Sequence, residues 1–290
     1  MSALNAFDNI WPSSTPTPAP STSTATLPRS PLEGKAIIVT GCASGIGRAI
    51  SLYLAEQGVR LALTDKDSKG GRDLCGEIKE RGLKNDMVFA ALDCTDENAV
   101  GKLVRTFKKS YKRLDGLVNC AGINPPPRES TTIDQEYFNV TMDTNLKGTW
   151  GFCKHFAIAV KKDLENDEFD PPEGGYSIVN IGSNASLMGI ENTSIYCASK
   201  HAILGLSRSL ALESAPFRTR VNVVAPGPID TPLLHAHFAG SEQEDNSLDD
   251  LVEKVPMKRL GRPEEVASVV GFLLDGTKSG FVTGAVIPVD

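Results

Sequence analysis

Ser183, Tyr196 and Lys200 stand thirteen and then four residues apart, the last two within the pentapeptide YCASK. Residues four apart share a helix face, so the Lys200 ammonium can lie beside the Tyr196 phenol, while Ser183 can approach from a neighbouring strand end. Such a grouping suits a phenol to acid and base work on an oxygen that the serine hydroxyl orients. A free tyrosine titrates near ~10, and at an effective dielectric constant of ~20 a cation ~5 Å away supplies roughly 3 kcal/mol, or about two pKa units. On this arithmetic the lysine brings the tyrosinate close to neutral pH. Ser177, Ser186 and Ser194 compete for the serine role, and the thirteen-residue interval selects Ser183.

Far upstream, Thr40 to Gly47 read TGCASGIG, between the β-branched run KAIIVT and the helical-period run GRAISLYLAEQG. In that context Gly41, Gly45 and Gly47 let a strand turn sharply, let backbone approach a pyrophosphate, and let a helix N-terminus present its free amides to negative charge. Ser44 and Ile46 belong to the same turn. Asp65 lies eighteen residues beyond Gly47, close to the spacing at which a carboxylate accepts hydrogen bonds from an adenosine ribose. A 2′-phosphate there meets like charge, and no basic residue stands in the turn before Gly45. NAD is therefore expected over NADP, although Lys66 adjoins Asp65.

The segments that must position these residues alternate in type. VRLALTD, DMVFAALD, DGLVNCAG, YSIVNIGS, RVNVVAPG and GAVIPVD read as six further strands, separated by helical-period runs. The pattern predicts an α/β fold, a Rossmann-like doubly wound seven-stranded parallel sheet in a single domain over residues 31–290. Thr40, Asp65, Asp93, Asn119, Ser183 and Pro226 then gather on the carboxyl edge, where such sheets bind ligands. Residues 1–30, rich in proline, serine and threonine, predict a disordered extension without the apolar core of a signal peptide; ALNAFDNIW within it reads either as a docking segment or as incidental apolar residues. KDLENDEFDPPEGGYS reads as a solvated loop.

Composition narrows the function. With 290 residues, 40% hydrophobic, the chain can bury one large core. A formal charge of -6 and a pI near 5.4 offer no electrostatic footprint for nucleic acid or an anionic membrane. No apolar run approaches the ~20 residues of a membrane helix. The six cysteines have no paired metal spacing and no disulfide pattern, so reduced thiols, a cytoplasmic location and no metal site are expected. Cys42 and Cys197, inside the two motifs, read either as sites of inhibition or as small buried residues.

TGxxxGxG, the following acidic residue, Asn-x-Ala-Gly at Asn119 to Gly122, and Ser183 followed by Tyr-x-x-x-Lys resemble the short-chain dehydrogenase/reductase family over about Leu32 to Asp290. The resemblance implies that Asp93 meets the adenine amino group, that Asn119, Ala121 and Gly122 line the cofactor, and that Pro226, Gly227, Ile229 and Thr231 of PGPIDT reach the nicotinamide carboxamide and phosphate. Cys120 departs from the family's second asparagine. It implies further that Tyr196 is the general acid and base, that Ser183 orients the reacting oxygen, that Lys200 lowers the tyrosine pKa and holds the nicotinamide ribose, and that Asn145 in TNLKG anchors a water leading from Lys200 to solvent. Read alone, Asn145 is equally a helix cap.

INPPP, NASLMGI and TPLLHAHFAG are the expected pocket walls, with a substrate lid over about 228–256 that contains SEQEDNSLDD. Leu187, Met188, Ile190, Leu233, Leu234 and Phe238 favour a small apolar secondary alcohol or ketone, or else are ordinary lid packing; His235 and His237 read as polar lid residues rather than metal ligands. The expected function is hydride transfer with NAD, in the oxidative direction. The alternatives are a catalytically idle dinucleotide-binding regulator or scaffold and an NADP-dependent ketoreductase. A homotetramer or homodimer is expected from the apolar residues Trp150, Phe152, Phe156, Ile203, Leu206 and Leu210, on two helices that pair about a two-fold axis in the resembling family; the other reading packs them under their own sheet.

Overall fold

In the computed structural model, which describes residues 30–83, 85–165, 171–239 and 248–290, the strand β1 (Ala36–Thr40) is buried along its whole length. Ile37 and Val39 join one apolar cluster while Ala36 and Ile38 join another, as the two-residue side-chain period requires. The same division recurs in β2 (Arg60–Asp65), where Leu61 and Leu63 separate from Ala62. With β3 (Met87–Ala91), β4 (Gly116–Asn119), β5 (Tyr176–Ile181), β6 (Thr219–Pro226) and β7 (Val286–Val289) these strands form one sheet in the order β3-β2-β1-β4-β5-β6-β7. Every pair is parallel. All seven expected strands are present, and the Rossmann-like single domain is the architecture observed.

Two helical layers cover the faces. On one, α1 (Gly45–Glu56), α2 (Ser68–Glu80) and α9 (Pro263–Leu274) contribute Leu54, Leu74 and Val270; on the other, α3 (Glu97–Tyr111), α5 (Thr149–Glu165) and α6 (Ser194–Ser214) contribute Phe107, Phe156 and Ala211. Each fully buried phenylalanine is worth about 1.5–3 kcal/mol of transfer free energy. The further helices among the described residues are α4 (Gln135–Met142), α7 (Pro232–Ala239), α8 (Leu248–Lys254) and the short α10 (Gly276–Ser279). A π-helical turn over Asp143–Gly148 joins α4 to α5 without a loop.

Connections leave β1 toward β2 and leave β4 toward β5, so the crevice between the ends of β1 and β4 is the switch point where such sheets take ligands. Gly41, at φ +68°, turns there against the next strand: a Cβ on it would stand 2.7 Å from the Ala121 nitrogen. Gly47 seats the first turn of α1 on that bend, with the Gly41 oxygen only 2.0 Å from where a Cβ would project. Thr40 locks the bend, its Oγ1 accepting the amides of Cys120 and Ala121, each at 3.0 Å.

Several expectations change. Lys162 to Glu165 are the end of α5 rather than loop, and Asp163 is buried in an ion pair with Lys108. The helical period simply runs on past the point where the charges begin. Ser30 is held to the domain by its hydroxyl's bond to Gln57 (2.8 Å), while the rest of the expected disordered extension, residues 1–29, lies outside the described residues. Phe152, Phe156 and Ile203 are at most 1% exposed within their own chain and offer nothing to a second copy. Leu206 and Leu210 pack partly against the core clusters, and Trp150 remains exposed under the Lys154 ammonium.

Because the Gly41 oxygen is backbone and cannot swing away, Gly47→Ala is expected to destabilise the domain by about 1–3 kcal/mol as an overpacking substitution. For a domain of this size that lowers Tm by roughly 2–4 °C per kcal/mol. Thermal unfolding followed by circular dichroism checks it; an unchanged Tm contradicts the close seating of α1.

Candidate active site

Ser183 follows β5 and caps a 3-10 turn over Asn184–Ser186, its Oγ accepting the Ala185 amide and donating to Asn184 Oδ1, both at 3.1 Å. The Ser186 hydroxyl in turn accepts the Ser183 amide at 3.1 Å, which fixes the serine backbone. Tyr196 and Lys200 lie one turn apart in the first half of α6, where the 3.6-residue period stacks them. The Lys200 ammonium is 5.8 Å from the Tyr196 ring centre and donates to the Ile181 carbonyl at 3.0 Å. Ser183, Tyr196 and Lys200 share one wall of a cavity of about 210 Å³. Ser177 donates to the Leu273 carbonyl and Ser194 meets Ser130 at the surface, so neither competes for the cavity.

Lys200 is 7% exposed, and burial brings its pKa down to about 8, with the neighbouring Cys120 acting weakly the other way. Burial likewise raises the Tyr196 phenol above its ordinary value, against a hydrogen bond with Ser183 that lowers it. In the free protein the direction is thus opposite to the one expected from Lys200 alone. Low polarizability penalises both charged forms, so burial acts against the phenolate and against the ammonium alike.

Asn145 is 1% exposed and lines neither ligand cavity. Its amide clamps Ile123 from both sides: Oδ1 accepts the Ile123 amide at 2.8 Å and Nδ2 donates to the Ile123 carbonyl at 2.9 Å, with Ser199 Oγ as a second acceptor. The π-helical turn carries it, which replaces the cap reading by a bulge that aims one side chain inward. A Cβ on Gly122 would stand 3.2 Å from Asn145 Oδ1 and 3.5 Å from Lys200 Nζ, so the two groups converge on one glycine.

Along the β1–β4 edge runs a second, larger cavity of about 760 Å³ that contains Thr40, Gly41, Ser44, Asp65, Asp93, Ala121 and Gly122. Gly122 and Ile123 line both cavities, making one continuous trough. Asp65 is oriented before any ligand arrives, its two oxygens accepting the Ala43 amide at 3.0 Å and the Asp67 amide at 2.9 Å. Asp93 is held likewise by the Thr95 amide and hydroxyl. Ser44 precedes α1 without capping it, so the first-turn amides are left to another acceptor. Ile46, Pro226, Gly227, Ile229 and Thr231 line the smaller cavity, whereas Gly45 and Gly47 only shape the turn. The glycine bend, the uncapped helix start, the oriented carboxylate and the spare donors of Lys200 together fit a dinucleotide.

Asn119 does not join them. Strand alternation turns it to the α5 face, where its amide donates to Asn180 Oδ1 at 2.8 Å and touches Cys153, and Asn180 passes the chain on to Ser207. It is a structural strut between β4, β5 and α6. Cys42 and Cys197 are buried, and burial raises the Cys42 thiol, which fits the packing role. Of the six apolar wall residues expected, Ile190, Leu233, Leu234 and Phe238 line the small cavity; Leu187 and Met188 are about half exposed. The two histidines diverge, His235 meeting Asp230 at the surface and His237 entering the cavity wall. Residues 240–247 of the expected lid lie outside the described residues.

Sequence reasoning missed Glu136, Asn139, Val140 and Asp143, which line the larger cavity; Asn124, within the expected INPPP wall, and Leu251, within the expected lid, line the smaller. The first four recur at i, i+3, i+4 and i+7, a helix face that periodicity could have identified.

Comparison with known proteins follows the same lines. A family profile described as enoyl-(acyl carrier protein) reductase matches residues 41–290. The chain is 34% identical to a cyclohexanol dehydrogenase of Acinetobacter sp., over 89% of this chain and 94% of that one. It is 32% identical to an NAD-dependent glycerol dehydrogenase of Listeria innocua, over 89% and 93%. The crystal structure of a levodione reductase superposes with a TM-score of 0.82 at 28% identity, covering 89% of this chain and 97% of that one.

Burial of the Lys200 ammonium has a thermodynamic signature. With the folded pKa near 8 and the unfolded value near the ordinary 10.5, the unfolded chain binds more protons between those limits, so stability rises with pH through that window. Lys200→Met removes the term. Urea unfolding of the cofactor-free proteins is expected to show the variant's advantage shrinking from pH 7.5 to pH ~10; a pH-independent difference contradicts the buried cation.

Proposed function

The chain belongs to the short-chain dehydrogenase/reductase family, and from that premise we propose that this oxidoreductase moves a hydride between NAD and a small secondary alcohol or ketone with an apolar body. The observation that carries the reading is the shared cavity wall of Ser183, Tyr196 and Lys200, continuous through Gly122 and Ile123 with the long trough beside Asp65. When bound, the nicotinamide gives or takes the hydride. In oxidation Tyr196 accepts the proton of the substrate hydroxyl; in reduction it returns a proton to the carbonyl oxygen, and in both Ser183 holds that oxygen. Lys200, with one of its three donors spent on Ile181, keeps two for the cofactor ribose and stands near enough to offset charge on the phenolate. Asn145 is a positioning residue, acting through the Ile123 backbone.

Charge in the trough supports NAD over NADP. Asp65, Asp67, Asp93, Glu136 and Asp143 line it, against Lys66. A 2′-phosphate there meets a field of like sign. The apolar side chains Leu233, Leu234, Phe238, Ile190 and Leu251 support a substrate whose body is hydrocarbon. α7 and α8 supply most of these and serve as the substrate lid, and 31–290 as the dinucleotide-binding catalytic domain. A cytoplasmic location agrees with six free cysteines. Association into a dimer or tetramer is part of the same reading, resting on Trp150, Ile158 and Leu212, which stay exposed on α5 and α6.

A panel of secondary alcohols with NAD, read by NADH absorbance, tests the activity. Tyr196→Phe is expected to lower kcat by at least ~10²-fold with little change in NAD affinity. No turnover across the panel despite tight NAD binding would favour an idle regulator instead.

Cofactor choice is tested separately. Asp65→Ala is expected to raise kcat/KM for NADP relative to NAD by at least about ten-fold, by removing a ribose acceptor and a repulsive charge. An unchanged ratio means that another residue reads the ribose.

A further inference from the structure

Asn124 and His237 face each other in the wall of the small cavity, and neither has a part in the chemistry above. Asn124 follows the β4 edge two residues after Gly122, while His237 lies on α7. Asn124 Nδ2 and His237 Nδ1 are 3.3 Å apart, and the ring is fixed edge-on against Phe238 with centroids 5.3 Å apart at 81°. Among the described residues, the Asn124 amide oxygen is buried without a hydrogen-bond partner. Turning the amide does not remove the deficit, because the nitrogen is then the atom left over. A buried amide atom without a partner is costly by about 1–3 kcal/mol, and one that lines a ligand cavity is open to a donor from the ligand.

The rest of the wall sharpens the point. Thr231 Oγ1 is already engaged with the Ile229 carbonyl and the Leu234 amide, and Asn184 Oδ1 receives the Ser183 hydroxyl. Leu233, Leu234, Ile190 and Leu251 present hydrocarbon. An entirely apolar substrate would leave the Asn124 oxygen desolvated and unpaired in the complex.

We infer that Asn124 and His237 form a polar subsite for a second oxygen of the substrate, a neutral hydroxyl or carbonyl in addition to the one that Tyr196 and Ser183 act on. The substrate class is thereby narrowed from a plain secondary alcohol to a small diol or hydroxyketone whose hydrocarbon skeleton meets the leucines. A hydroxyl suits the pair because it both donates to the amide oxygen and accepts from a ring or amide N–H. The small cavity, about 210 Å³, has room for a small molecule of this kind. Since Asn124 sits on the sheet edge and His237 on α7, a bound oxygen would also tie α7 to the sheet edge. The inference rests on the dehydrogenase reading above.

The test compares kcat/KM with NAD for cyclohexanol and the three isomeric cyclohexanediols, in the wild type and in Asn124→Leu, His237→Phe and His237→Gln. The wild type is expected to favour at least one diol over cyclohexanol by about ten-fold or more, since a site built to bond a hydroxyl discriminates against its absence. Asn124→Leu and His237→Phe each cut that ratio by about ten-fold through the KM of the diol, and His237→Gln, which keeps a hydrogen-bonding side chain, retains most of it. The ratio is internal to each variant, so partial loss of folded protein does not imitate the effect. Wild-type oxidation of cyclohexanol with no diol preferred, or a ratio unchanged in both apolar variants, overturns the subsite while leaving the dehydrogenase reading intact. Failure of the wild type to oxidise any of the four or any alcohol of the wider panel overturns both.

Discussion

The ammonium of Lys200, buried where the β5 end, the Gly122 backbone and α6 converge, is the group on which the site's organisation depends. A cation out of water must be held by acceptors, and here the Ile181 carbonyl provides one at 3.0 Å. Burial moves the lysine and the neighbouring phenol in opposite directions, toward a neutral amine and a neutral phenol. Desolvation therefore acts on both groups more strongly than their mutual attraction. Any partner that shares the cavity changes the balance, because it replaces missing solvent around both groups.

Around that ammonium the backbone is held unusually firmly. Asn145 fixes Ile123 through its amide and carbonyl together, and Thr40 fixes Cys120 and Ala121. The chain Asn119 to Asn180 to Ser207 crosses from β4 through β5 to α6. These bonds connect the glycine turn, the β4 edge and α6, the helix that carries Tyr196 and Lys200. The π-helical turn is the local irregularity this arrangement needs, since a regular α4–α5 helix would carry Asn145 round to a different face.

Polarity is distributed along the trough in a graded way. Carboxylates dominate around Asp65; Ser183, Tyr196 and Lys200 occupy the middle, and the far end is hydrocarbon broken by Asn124 and His237. Like charge disfavours extra phosphate at one end, and the cost of an unpaired amide disfavours a wholly apolar guest at the other.

The amino-acid sequence determined the elements by itself. Seven β-branched runs, a glycine turn between strand and helix, and Tyr196 one helical turn before Lys200 are statements about neighbours in the chain, and short-range periodicity carries them. Ser183 was legible for the same reason, as an interval. What only the tertiary structure decided were matters of facing and burial. Asn119 belongs to the signature in the chain yet faces α5 because strands alternate, and Phe152 and Phe156 are core rather than interface because their own sheet covers them. Periodicity puts Glu136 and Asp143 on one helix face, but only the fold brings that face to the longer trough, and Asn124 meets His237 across a separation of many residues that no local pattern encodes. The tyrosine's pKa lay furthest from the sequence estimate, because a pairwise charge can be read from spacing whereas desolvation depends on everything packed around it.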